Sequence, residues 1–247
     1  MYEKLYKKAK EFNSDLVKCM FYDYNSTRTP KDKLYVQKHK DFELFNCTPE
    51  DKTFKVEEYP KLLIYHSSIW ATLYHRTLIE RVRFQESKGA TYQDFPFAME
   101  TLILADKITT LRKAFYHYRQ EPLNISSVKQ TDQNLIKMVD QCIYAKNKLI
   151  SLGVFEKFKE EFYGHAISLL RGFYYQIQDD LKPHFFEKLV DFFNDALSEN
   201  LSCKYFNQDE KDFLFCILKK DFSNSLSCKR KSLLYKLKRM LKILLER

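Results

Sequence analysis

The feature that most limits how this chain can fold is the run from residue 131 to residue 247. There apolar residues recur at helical spacing, with breaks near Gly153, Pro183, Asn200 and Asn224. Phe185, Phe186, Leu189, Phe192 and Phe193 form one stripe on one helical face, the pattern of a packed core rather than of an exposed aromatic surface. Glycine usage leans the same way, since four glycines in 247 residues leave few positions for tight turns. Several packed helices are expected from residue 128 onward.

The first 127 residues read differently. Residues 2 to 13 form an amphipathic helix with Leu5, Ala9 and Phe12 on one face, ended by Asn13-Ser14-Asp15. "LVKCMFYDY" follows as a strand rich in Val, Phe and Tyr. Residues 25 to 58 are polar, contain Pro30 and Pro49, and read as an insertion of loops and short strands. "SIWATLYHR" reads as a strand, "RTLIERV" as a short helix, and Gly89 ends a loop. "KITTL" and "AFYHYR" read as two further short strands. The chain therefore divides into an α/β part, 1–127, and an α-helical part, 128–247. No internal repeat or low-complexity stretch stands out.

Composition removes several function classes. A hydrophobic content of 45% with 30% charged residues is that of an ordinary globular chain, and no window approaches 18 uninterrupted apolar residues. The N-terminal "MYEKLYKKAKEF" has no apolar core of the kind a signal peptide needs, so a cytoplasmic location is expected. Six cysteines without a C-x-x-C pair, and histidines without H-E-x-x-H spacing, point to reduced thiols rather than a disulfide frame or a zinc site. The net charge is +9, but residues 229 to 247 carry eight Lys or Arg and one Glu, so 9 − 7 leaves +2 for the rest. A nucleic-acid surface would spread that charge over a face interleaved with exposed aromatics, so nucleic acid is not an expected partner. Leu233, Leu234, Leu237, Met240, Leu241, Leu244 and Leu245 fall on one helical stripe of this tail, with lysines outside it. That is the pattern of an interfacial helix on an anionic membrane, or equally of a helix packed on its own domain.

One carboxylate stands apart. In "TYQDFPFAMETLIL", Asp94 precedes Phe95-Pro96 and an apolar helix, which is the order of an N-cap residue followed by proline in the first turn. Capping alone explains Asp94, and the same position favours an ionised carboxylate fit for chemistry.

Four segments in order then resemble the second half of a family 2 glycosyltransferase domain of the GT-A fold. "MYEKLYKKAKEFNSDLVKC" is similar to the helix and strand after the family's metal-binding D-x-D. "SIWATLYHRTLI" is similar to its Trp-bearing element, and "TYQDFPF" to its E-D acceptor motif with Gln93 in place of Glu. "KAFYHYRQEPLNISS" is similar to its closing Y-x-Y-R segment. The resemblance implies a partial, Rossmann-like GT-A domain over 1–127, followed by an α-helical region with a basic amphipathic terminal helix.

It also implies a chemistry and its residues: inverting transfer of a sugar from a nucleotide-sugar to a surface-glycan or lipid-linked acceptor, with Asp94 as the base. Trp70 and Gln93 would face the acceptor, although core packing accounts for Trp70 as well. His117 and Arg119 would lie near the diphosphate or a metal, or else His117 is a solvated residue of an edge strand. The complete family enzyme would use Mg²⁺ or Mn²⁺. No D-x-D occurs in this sequence, so the donor half is expected to lie outside it and the chain alone to be inactive, with strand partners for residues 16–24 and the Trp70 region missing. The alternative is a non-catalytic helical interaction or membrane-surface module that keeps a glycosyltransferase remnant.

Overall fold

The computed structural model describes residues 1–24, 35–36, 46, 48–65, 67–86, 92–119, 133–198 and 200–226. Helix α1 (Tyr2–Phe12) ends where Asn13 takes a left-handed conformation. It leads into β1 (Leu16–Tyr24), the centre of a four-stranded sheet. Along one edge of β1 run two antiparallel strands, β2 (Tyr35–Val36) and β3 (Thr72–Tyr74). Along the other runs β4 (Ile108–Arg119), parallel and paired from Leu16↔Ile108 to Tyr24↔Arg119.

Alternation along β1 divides its side chains between two cores. Val17, Cys19 and Phe21 point toward α1 and pack with Leu5 and Ala71. Leu16 and Met20 point the other way, into the large core that contains Phe95, Met99 and Leu102 of α3 (Asp94–Leu104). Between β3 and α3 lies the short helix α2 (Arg76–Ile79). The later helices are α4 (Lys137–Ser151), α5 (Phe155–Gln176), α6 (Lys182–Ser198) and α7 (Gln208–Leu218). The expected core stripe is in place, with Phe185, Leu189 and Phe193 of α6 fully buried.

The boundary near residue 127 is not a packing boundary. Phe95 of α3 meets Phe162 and His165 of α5, and His165 donates a hydrogen bond from Nδ1 to the Leu63 carbonyl at 2.7 Å. One apolar core therefore joins both parts of the chain.

Several local expectations change. "SIWATLYHR" is a strand only over Thr72–Tyr74, and Ile69–Ala71 is a 3₁₀ turn entered through Ser68 at φ 31°. The two strands expected at "KITTL" and "AFYHYR" are one, because two register shifts opposite Cys19–Phe21 absorb the extra residues as bulges instead of a turn. Pro183 sits inside the first turn of α6, where its missing N–H costs nothing, and the break lies at residues 177 to 181. β1 is paired along both edges, contrary to the expectation of missing partners. Among the described residues β2 and β3 pair only with β1 and leave one edge of the sheet open, and the other is that of β4, which beyond β1 meets only the Phe54–Ile108 bridge. Cys19, Cys142, Cys203 and Cys216 are free thiols. Gly89 and residues 227–247 lie outside the described residues.

Gly153 shows what a single turn requires. It follows α4 at φ +69° with its N–H bonded to the Ile150 carbonyl, and open space surrounds the place of a side chain. Gly153→Ala is therefore expected to destabilise the chain by about 1 kcal/mol through backbone conformation alone. A thermal midpoint unchanged by the substitution would show that the turn relaxes without cost.

Candidate functional site

Asp94 opens α3 as its first helical residue, and Gln93 occupies the capping position without a side-chain cap bond. The N-cap role expected for Asp94 is thus not the one it takes. The carboxylate is partly exposed, in the first turn, at the positive end of the helix dipole.

The approach to α3 is held from two sides. Tyr92 is left-handed at φ 61°, an unusual state for a bulky residue, and its ring lies 4.7 Å from Phe173 of α5. Gln93 donates from Nε2 to the carbonyl of Gln85, which ties α3 to the segment after α2. Phe97, one turn on, stacks on Phe84 at 4.2 Å and meets Tyr74 edge-on at 5.6 Å. The Tyr74 phenol is pushed up to about 12, first by burial and also by the charge of Asp94, while hydrogen bonds with Thr72 and Thr101 pull it back. Tyr74 at pH 7 is therefore a neutral hydroxyl.

Behind Tyr74 lies Lys18, buried in the apolar wall of β1. Its ammonium donates to the carbonyls of Ser67 at 2.9 Å and Ser68 at 3.4 Å and to the Ser68 hydroxyl. These bonds compensate the burial of a charge and clamp the left-handed Ser68 turn that carries Trp70. Sequence reading passed over Lys18 and Tyr74. Alternation along "LVKCMFYDY" holds the signal, because Lys18 falls on the face of Leu16 and Met20.

Trp70 lies on the opposite face of the sheet from Asp94. Its ring stacks on Tyr118 with centroids 4.6 Å apart and planes within 6°, and Tyr116 and Phe21 complete the cluster at 4.6 and 4.5 Å. Val17, Cys19 and Leu5 lie beneath it, on the α1 side. His117 points to the other face, its ring 5.2 Å from that of Tyr22, the residue paired with it across the strands. Arg119 ends β4 opposite Tyr24, and its side chain lies outside what the structure describes. The sheet thus brings His117, Lys18, Tyr74 and Asp94 to its α3 face and separates Trp70 from them. Among the described residues no three His, Cys, Asp or Glu stand close enough together to hold a metal ion. No described helix is long and apolar enough to cross a membrane.

The sequence matches no protein-family model and no curated protein. Solved structures do match. S. aureus TarS 1–349 in complex with UDP-GlcNAc superposes with a TM-score of 0.63 at 14% identity, over 94% of this chain and 63% of that one. TarS 1–349 alone gives 0.61 at 17% identity over 94% and 62%, and S. aureus TarS gives 0.57 at 14% over 93% and 37%. TarS is a family 2 glycosyltransferase. The likeness shows a glycosyltransferase-like fold, mixed α/β followed by a helical region. This chain spans less than two thirds of TarS 1–349.

Proposed function

We propose that this chain is the acceptor-side part of a family 2 glycosyltransferase, with Asp94 as its base. The observation that carries the reading is the position of Asp94. It stands partly exposed at the start of α3, on an α/β framework that follows TarS over 94% of the chain. In the reaction the Asp94 carboxylate takes the proton of an acceptor hydroxyl. The hydroxyl oxygen bonds to the anomeric carbon from the face opposite the leaving group. The bond from that carbon to the diphosphate oxygen breaks, and the nucleoside diphosphate departs with the electron pair. The sugar is inverted.

The donor class follows from the UDP-GlcNAc and UDP complexes of TarS: a nucleotide-sugar. In this reading the donor is held by residues outside this chain. The described residues offer no cluster to hold the Mg²⁺ or Mn²⁺ that the resemblance implies, so no step is routed through a metal. Tyr74 keeps a neutral hydroxyl on the α3 face of the sheet, and Lys18 holds the turn at Ser67 and Ser68. Trp70, Gln93, His117 and Arg119 are secondary here. Trp70 and Gln93 have packing roles of their own, and His117 lies on the α3 face of the sheet.

Calorimetric titration of residues 1–247 with UDP-, GDP- and CMP-sugars in the presence of Mn²⁺ tests this division of labour. Binding weaker than the micromolar range is expected. Tight, metal-dependent binding by this chain alone would place the donor site within it and overturn the acceptor-side reading.

A further inference from the structure

Phe84 is an apolar ring left in the open against the first turn of α3, the turn that Asp94 begins. It is 45% exposed, whereas Phe97, the ring it stacks on, is buried. The two rings lie 4.2 Å apart with planes within 6°. One face of Phe84 is therefore covered, and its exposure is left to the outer face and the edge. Phe97 stands three residues after Asp94, and residues three apart share one side of a helix. An exposed ring and a partly exposed carboxylate thus meet at the same end of α3.

The ring is also fixed in place. Val82 ahead of it is buried, Gln93 donates to the carbonyl of Gln85 just after it, and Tyr74 meets Phe97 edge-on at 5.6 Å. A phenyl ring already held still gives up little freedom when something packs on it. Its π face is electron-rich and attracts C–H groups, and covering it removes apolar surface from water. The carboxylate at the same turn accepts hydrogen bonds. A cyclic sugar answers both groups, with C–H on one face of the ring and hydroxyls around its rim. An acyclic polyol has the hydroxyls without the flat C–H face, and a purely apolar ligand would leave the carboxylate without a donor.

We propose that Phe84 is the surface on which the acceptor lies, its terminal sugar ring stacked on the phenyl and one hydroxyl turned to Asp94. The proposal rests on the reading of Asp94 as the base and adds the acceptor class, a glycan that ends in a cyclic sugar. Saturation-transfer NMR on the intact chain, residues 1–247, tests it. The probes are the methyl β-glycopyranosides of glucose, galactose and N-acetylglucosamine, with glucitol as the acyclic control. At least one glycoside should take up saturation at its ring C–H protons, and glucitol none. Phe84→Leu keeps apolar bulk over Phe97 and removes the π face. It should weaken the signal about fivefold or more, the order that an aromatic contact adds to buried area, whereas Phe84→Tyr should keep it. No signal from any of the three glycosides overturns the proposal, as does an equal signal from glucitol or one unchanged in Phe84→Leu. The base is tested apart, by transfer of Asp94→Asn in a chain completed with a donor site. Transfer lost there, with the glycoside signal unchanged in Phe84→Leu, strikes the ring and leaves the base. Transfer kept there, with the signal lost in Phe84→Leu, strikes the base and leaves Phe84 a sugar-binding ring.

Discussion

Asp94→Asn is expected to lower glycosyl transfer by about 10²–10⁴-fold, the range for loss of a general base, and to leave the fold intact. The amide keeps the size of the carboxylate and cannot take the acceptor proton. Because Asp94 is the first helical residue and Gln93 the N-cap, the substitution forfeits chiefly its favourable place near the helix dipole, about 0.3–1 kcal/mol. The measurement requires a donor site; under the proposed reading it is sought by joining this chain to the part of TarS 1–349 that it does not cover. Transfer from UDP-GlcNAc and the unfolding midpoint are then read for the parent and the Asn form. Turnover retained in the Asn form would leave Asp94 a structural residue of the α3 start and return the question of the base to the other groups on that face.

The largest effect on stability is expected at Phe162, where truncation to Ala should cost about 3–5 kcal/mol. The ring is fully buried, and it meets Phe95 at 6.3 Å, Phe155 at 5.8 Å, Tyr163 at 5.1 Å and Phe192 at 6.3 Å. Its removal opens a cavity where α3, α5 and α6 meet, and such a site has little freedom to collapse. A lowered urea midpoint with unchanged denaturant dependence is the expected record. The effect reaches the candidate site as well, because Phe95 follows Asp94 directly and is held by Phe162 and His165. Transfer in the joined protein should therefore fall in Phe162→Ala even where the protein remains folded. A cost under about 1 kcal/mol would mean that the surrounding aromatics refill the space.

This shared core explains why a helical region follows the α/β part at all. The N-terminus of α3 is set by contacts from α5: Phe173 on Tyr92, and Phe162 and His165 on Phe95. A base works only where its acceptor can reach it, so α5 acts on the proposed chemistry through position.

Much of the local structure was legible from residue order. Helix α1, strand β1, the short helix α2 and the buried stripe of α6 all follow from spacing and residue type, which act over a few positions. The resemblance carried by "TYQDFPF" and "KAFYHYR" anticipated a glycosyltransferase-like α/β fold ahead of a helical region. What spacing could not supply is which face of the sheet each side chain occupies and what lies against it. Trp70 and His117 were read as parts of one site, yet strand alternation in β4 puts Tyr116 and Tyr118 on the Trp70 side and His117 on the other. Asp94 looked like a cap because Asp before Phe-Pro is a cap signal, but Tyr92 and Gln93 make the turn and move the helix start onto Asp94 itself. Lys18 passed unnoticed because its partners, the carbonyls of Ser67 and Ser68, are some fifty residues away. Residue order alone settled β1 and most of the helices, through periodicities of two and 3.6 residues that each segment carries. Only the tertiary structure decided the pairing of β4 with β1, the single core across residue 127 and the company of Asp94, because those depend on contacts between segments far apart in the chain.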